Sequence, residues 1–315
     1  MHREQTHPPI PVVSELARLV RAFVEDLQGE IRSALERADG TGVFSIDRWD
    51  RPGGGGGTSC VMQNGAVFEK GGVNVSEVYG QLPEALTRSM KVATAQFYAT
   101  GISVVLHPRS PMIPTVHMNY RYFEQEDGTS WFGGGSDLTP FYPVAEDIVH
   151  FHRVLKHACD AYDPAYYPKF KKWCDEYFFI RHRQEARGAG GIFFDYLKGD
   201  PEKNFAFVRS AGRAFLESYL PIVERRRNDP WGEQERRWQL LRRGRYVEFN
   251  LVCDRGTLFG LETGGRTESI LMSLPPEARW EYGMEPESGS REAELLALLS
   301  RPREWIAGND GSQKT

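Results

Sequence analysis

The four cysteines of this 315-residue chain, Cys60, Cys159, Cys174 and Cys253, include no Cys-x-x-Cys pair. That excludes a zinc ribbon or a thioredoxin-type motif and gives no disulfide framework, so a reducing compartment is expected. No apolar run approaches the roughly 18 residues of a membrane span. Neither sign of charge dominates: 39 Lys and Arg against 43 Asp and Glu leave −4. No global field therefore recruits nucleic acid, and any anion binding must come from local arginines. There is no His-Glu-x-x-His metal motif and no fixed-period repeat. The run Gly53 to Gly57 lacks the Lys-Ser/Thr of a phosphate-binding loop. It reads as a linker or as a mobile loop near a site, with the second preferred. The first residues have no apolar signal core and carry an early Glu4, which argues against secretion and organelle import. The expectation is a cytoplasmic protein.

What is present is enough for a core: 40% hydrophobic residues, with 12% aromatic, exclude wholesale disorder. Ser14 caps an amphipathic helix whose stripe is Leu16, Leu19, Val20, Phe23, Val24, Leu27, Ile31 and Leu35. Further helices are expected over 83–99, 146–162, 168–187, 204–227 and 291–300, and the last dozen residues read as frayed. Strands are expected over 102–106, 118–124 and 191–196. Another begins at Trp131 and ends at Gly133–Gly135, and a final pair, 246–253 and 257–261, is joined by an Asp254-Arg255-Gly256 hairpin turn. Hairpin-linked strands mixed with helices, without regular βαβ alternation, indicate an α+β protein with an antiparallel sheet. No linker divides the chain after residue 60, so 1–315 is read as a single domain.

Chemistry concentrates in the stretch from His107 to Arg121. Three prolines hold a turn between His107 and His117, and the strand that follows places His117, Asn119 and Arg121 on one side. An imidazole and a guanidinium on one face suit an anionic ligand that also exchanges a proton. A solvated edge strand with polar residues outward is the competing reading. Asp137 follows three glycines. It serves either as a cap for a following helical turn, which the spacing favours, or as a base and hydrogen-bond acceptor for an N–H group. Gly264, Gly265 and Arg266 make either an anion-binding concavity of exposed amides beside a guanidinium or a plain surface turn. His150 and His152 point about 200° apart on a helix. His107, His117, His152 and His182 offer imidazoles to a divalent metal such as Mn, but none has tight ligand spacing.

Long motifs carry a resemblance: His107-Pro108-Arg109 with the segment 114–121, Trp131-Phe132-Gly133-Gly134-Gly135-Ser136-Asp137-Leu138-Thr139-Pro140, and the segment 171–178. The stretches Arg187-Gly188-Ala189-Gly190-Gly191-Ile192-Phe193-Phe194-Asp195, Phe249 to Thr257 and Gly264 to Pro276 extend it. Together, from about residue 15 to about 305, they closely resemble oxygen-dependent coproporphyrinogen III oxidase. The resemblance implies a large, rather flat, mainly antiparallel sheet with helices on both faces, and a homodimer formed through about residues 246–281. It implies oxidative decarboxylation of two propionates of coproporphyrinogen III to vinyl groups, giving protoporphyrinogen IX. O2 is then the co-substrate, and neither a metal nor an organic cofactor is required. Residue by residue, His117 matches a proton donor. Ser103, Asn119, Tyr120, Arg121, Gly264, Gly265 and Arg266 match substrate-contacting positions. His107, His117, His152 and His182 match positions described as metal ligands in bacterial members. The catalytic expectation is His117, Asp137 and Arg121, with Asp137 accepting pyrrole N–H groups. One departure from the family is a short loop between Glu124 and Trp131. The rival readings are a metal-dependent dioxygenase and a tetrapyrrole carrier without turnover.

Overall fold

The computed structural model describes residues 13–82, 84, 87–88, 96–262 and 264–306. Its centre is a seven-stranded antiparallel sheet in the order β1-β2-β3-β4-β5-β6-β9. The strands are β1 (Ser45–Asp50), β2 (Gly55–Gln63), β3 (Phe68–Gln81), β4 (Gln96–Pro108), β5 (Thr115–Gln125), β6 (Ser130–Thr139) and β9 (Gly190–Leu197). Between β6 and β9 run α2 (Ala145–Asp160), α3 (Tyr166–Tyr177) and a small hairpin, β7 (Phe179–Ile180) with β8 (Glu185–Ala186). The chain opens with α1 (Glu15–Asp39). After β9 come α4 (Pro201–Arg226) and α5 (Glu233–Glu248), a π-helix (Phe249–Cys253), α6 (Arg255–Glu262), α7 (Thr267–Leu271) and α8 (Arg291–Leu299). The α+β expectation with an antiparallel sheet holds. No helix of the described residues is long and apolar enough to cross a membrane.

Strand alternation divides the sheet into two unlike faces. One is apolar: Val73, Val75, Ile102, Val104, Leu106, Met118, Tyr120, Phe132 and Phe194 form one core with α1, α2 and α4. The stripe foreseen on α1 supplies its share. Ser14 accepts a hydrogen bond from Ala17 N, and the helix ends at Gly40 in a left-handed conformation, φ 85°. Leu19 departs from the expected stripe at 50% exposure, because it lies about 100° from the stripe's centre on a 3.6-residue helix. The other face is polar and is covered in part by 238–274. There Ser269 Oγ lies 2.7 Å from Ser59 Oγ, and Leu274 O accepts from Lys70 Nζ at 2.7 Å.

Asp39, the last residue of α1, ties the helix to the β2–β3 turn. Its carboxylate accepts backbone N–H groups of Gly42 (2.6 Å), Ala66 (2.9 Å), Val67 (2.9 Å) and Phe68 (2.8 Å). Burial pushes this carboxyl up, but the four donors outweigh it and bring it down to about 2. A depressed folded pKa adds stability above the unfolded value near 3.9, and that stability is lost as pH falls through the folded value. Asp39→Asn is expected to lower stability by about 1–3 kcal/mol at neutral pH. Its Tm should then converge with the wild type between about pH 4 and pH 2. A gap unchanged down to pH 2 would contradict this account.

Several local expectations fail for physical reasons. The helix over 83–99 holds at the described residues 84, 87 and 88 but fails at 96–99, which belong to β4, and the rest of it lies outside the described residues. Gly55–Gly57 begin β2 and are not a loop. β6 runs through Gly133–Gly135 to Thr139, because a Cβ on Gly135 would sit 2.2 Å from Ile192 O of the neighbouring strand. Glycine there answers strand crowding, not a turn. The helix over 168–187 stops at Tyr177 and gives way to the β7–β8 hairpin, where Gln184 has φ 54°. The strand pair over 246–261 is helical. Asp254 accepts from Thr257 N at 2.9 Å and starts α6, so Asp254-Arg255-Gly256 is a helix start and not a hairpin turn. The expectations contain no strand over 45–81 and no helix over 233–248.

Candidate active site

β5 delivers the polar row the sequence foretold. His117, Asn119 and Arg121 are partly exposed, while Met118, Tyr120 and Tyr122 between them are buried on the core side. In register, Asn119 pairs with Ser103 on one side and Gly135 on the other, and Arg121 pairs with Gly101 and Gly133. The row continues from Ser103 to Asn74 and Ser59. Glycine, serine and asparagine thus pave this face across five strands, a floor low enough for a broad, flat ligand. A Cβ on Gly133 would lie 2.9 Å from Arg121 Nη2, so that glycine makes room for the guanidinium.

At one end of the floor lies a buried ion network. His117 Nδ1 is 2.8 Å from Asp137 Oδ1. Arg187 Nη2 donates to both Asp137 oxygens, at 2.9 and 2.8 Å, and Arg187 Nη1 donates to Asn250 Oδ1 at 3.0 Å. The Arg187 guanidinium rests against the rings of Phe178 (4.0 Å), Tyr246 (4.7 Å) and Phe249 (4.7 Å). Burial pushes the Asp137 carboxyl up, but Arg187 and His117 hold it below the usual carboxylate range. An ionised carboxylate only accepts, so Nδ1 carries the proton of the neutral imidazole. His117 Nε2 has no hydrogen-bond partner among the described residues and is the nitrogen left for a ligand.

Asp137 is therefore not the helical cap that the spacing favoured. It lies inside β6 and is 2% exposed. Both its oxygens are committed to neighbours, so it reaches a ligand through His117 and not directly. The network also explains three residues that sequence reasoning passed over. Arg187 stood inside a quoted motif without being singled out, and Tyr246 and Asn250 were misread as strand positions.

Two arginines stand at other edges of the floor. Arg121 Nη2 lies 2.9 Å from Asp195 Oδ1, and Arg266 Nη2 lies 2.6 Å from Asp47 Oδ2. Arg121 is on β5 and Asp47 on β1, four strand spacings or roughly 19 Å apart. Gly264, with φ 69°, and Gly265 lead into Arg266, which stands at the N-cap of α7. The structure thus places His117, Asp137, Ser103, Asn119 and Arg121 together, with Arg266 reaching the floor at its far edge. Tyr120 is not brought to this face. Its side chain lies in the core, with its hydroxyl 3.2 Å from Ser136 Oγ.

The four histidines do not converge. His107 is buried, with Nε2 2.8 Å from Ser273 O and Nδ1 3.3 Å from Thr115 Oγ1. His152 is buried with Nδ1 at Tyr167 Oη (2.9 Å) and Nε2 at Ala189 O (3.1 Å), and burial pushes its pKa down to about 4. His182 pairs at the surface with Glu248. Among the described residues no group of three His, Cys, Asp or Glu side chains is arranged to hold a metal. The expected metal set does not fit this geometry.

Comparison with known proteins agrees with the motifs. A family model described as coproporphyrinogen III oxidase matches residues 19–305. The oxygen-dependent coproporphyrinogen-III oxidase of Drosophila melanogaster is 53% identical over 299 residues, covering 90% of this chain and 77% of that protein. With most of its length matched and its polar floor intact, the chain belongs to the coproporphyrinogen III oxidase family.

Proposed function

We propose that this chain converts coproporphyrinogen III to protoporphyrinogen IX by oxygen-dependent oxidative decarboxylation of two propionates; its relative is named an oxygen-dependent coproporphyrinogen-III oxidase. The carrying observation is the floor itself: a broad paving of small residues with a buried Arg–Asp–His relay at one end and arginines spaced across it. Arg121 and Arg266 hold propionate carboxylates as planar, charge-assisted partners, and Ser103 and Asn119 offer hydrogen bonds between them. His117 Nε2 takes a proton from a pyrrole N–H, while Asp137, fixed by Arg187, stabilises the imidazolium that forms. The electron-rich pyrrole then reduces O2 by two electrons. The resulting peroxide removes a proton from the propionate carbon next to the ring, and the carboxylate leaves as CO2 with its bonding pair forming the vinyl double bond. His117 returns its proton to the pyrrole nitrogen, and a solvent proton completes H2O2. Each propionate with one O2 gives one vinyl group, one CO2 and one H2O2. O2 is the co-substrate, no organic cofactor enters, and no step passes through a metal.

Incubation with coproporphyrinogen is expected to give the divinyl product under air and none under nitrogen. Binding without product under air would instead make the chain a carrier.

The proposal extends to assembly and compartment. Leu251, Val252, Leu258, Leu261 and Trp280 are large apolar residues left 40–63% exposed within 246–281, a composition suited to a homodimer contact. Sedimentation at micromolar concentration is expected to give twice the chain mass of 35.8 kDa, and a purely monomeric boundary would count against it. All four thiols are unpaired, which supports a reducing compartment such as the cytoplasm. We read 1–315 as a single domain, with the described residues built around the sheet.

A further inference from the structure

A second polar cavity lies apart from the floor. Arg242 and Arg245 of α5 meet Arg183 and Glu185 of the β7–β8 hairpin around a space of about 170 Å³, whose apolar walls include Trp238, Leu241 and Leu296. A cavity of about 150 Å³ is known to hold a benzene ring, so there is room for a compact apolar body. The charges are unbalanced. Three guanidiniums line the space with one carboxylate. Glu248, outside the lining, takes up Arg183 and Arg245, and one positive charge remains.

Arg242, paired with Glu185, is the most buried of the three guanidiniums. It is 6% exposed, and its Nη1 donates to Glu185 Oε2 at 3.1 Å. Among the described residues, its Nε and Nη2 have no hydrogen-bond partner. Neither nitrogen is fully enclosed, so both donors stay open to a ligand, while the rest of the side chain is buried. Burial accordingly pulls its pKa down despite Glu185.

We propose that this cavity is a binding site for a monocarboxylate carried on a compact apolar body, such as an aromatic or branched-chain acid, separate from the tetrapyrrole floor. The carboxylate accepts from the open edge of Arg242, and the apolar body fills the space beside Trp238. Position gives the site a route to the reaction centre. Glu185 stands two residues before Arg187, and Arg242 one helical turn before Tyr246, whose ring packs on the Arg187 guanidinium.

The probe is 4-fluorobenzoate, followed by fluorine NMR titration of the full chain. Because Arg121 and Arg266 also attract carboxylates, the Arg121→Ala/Arg266→Ala double variant is titrated alongside. Saturable binding is expected in the wild type and retained in the double variant. It should weaken by about tenfold or more in Arg242→Met, as loss of a charge-assisted pair predicts, and vanish in Leu241→Trp, which fills the space. Where Arg242→Met does not fold, Arg245→Gln on the more exposed rim takes its place, with weaker binding again expected. Three outcomes overturn the proposal: no saturable binding, binding lost only with Arg121 and Arg266, or binding undiminished in Leu241→Trp. Fluorobenzene binding as tightly as fluorobenzoate would likewise remove the anion site.

Discussion

Asp137→Asn is expected to lower kcat by about 10² to 10⁴, the usual span for losing a positioned acid–base function, with KM changed much less. The reason lies in what an amide cannot do. Asp137 accepts from His117 Nδ1 and twice from Arg187. Asparagine keeps one acceptor oxygen and gains an N–H₂ that faces one of two donors. If it turns that group to His117, the imidazole takes the opposite tautomer and presents a protonated Nε2 to the ligand, unable to accept a proton. If it turns the group to Arg187, it sets donor against donor, and in either orientation the buried guanidinium loses its counter-charge. Breaking a buried pair by removing one partner costs about 3–5 kcal/mol, so Tm should fall as well. Activity is therefore compared per folded molecule, with tetrapyrrole affinity measured in parallel. Near-normal turnover by a folded variant would remove Asp137 from the mechanism. Loss of affinity with unchanged kcat would make it part of the binding surface instead.

Arg121→Ala and Arg266→Ala form the second large pair. A hydrogen bond to a charged group contributes about 1.5–3 kcal/mol, so each variant should lose roughly 10- to 150-fold in kcat/KM, and the double variant more. Their ion-pair partners differ in what remains. Asp195 keeps Arg255 at 3.9 Å, whereas Asp47 is half exposed and returns to water. Neither substitution should therefore unfold the protein. Arg301→Ala, at an exposed position, serves as the comparison and should change kcat/KM less than twofold. Equal losses at all three positions would mean that net charge, and not a pair of clamps, governs binding.

How far this could be read from the chain differs by residue. His117, Asn119 and Arg121 were legible because a strand's period of two leaves few other arrangements for alternating polar residues. The same rule places Tyr120 in the core, and there the matched motif misled while periodicity alone would have served. Asp137 was visible as chemistry but not as geometry. Glycines before an aspartate have turn composition, and only the packing of β9 against β6 makes them strand residues. Arg187 was the hardest to assign, since its partners Asn250, Tyr246 and Phe178 lie 9 to 63 residues away in sequence and no local pattern links them. The strand pair over 246–261 failed because β-branched and aromatic residues have strand propensity, and tertiary packing overrode it.

The pairing of Arg121 with Asp195 and of Arg266 with Asp47 sets the protein's own carboxylates where the ligand's belong. Occupancy is then an exchange of like for like. A propionate gains only the difference between its contacts and those of the resident aspartate, so a lone small acid gains almost nothing. A molecule offering several carboxylates on one macrocycle makes the exchange at both guanidiniums at once, and the second exchange is intramolecular. Selection for a many-armed ligand is thus set before it arrives, by two aspartates that never touch the reaction.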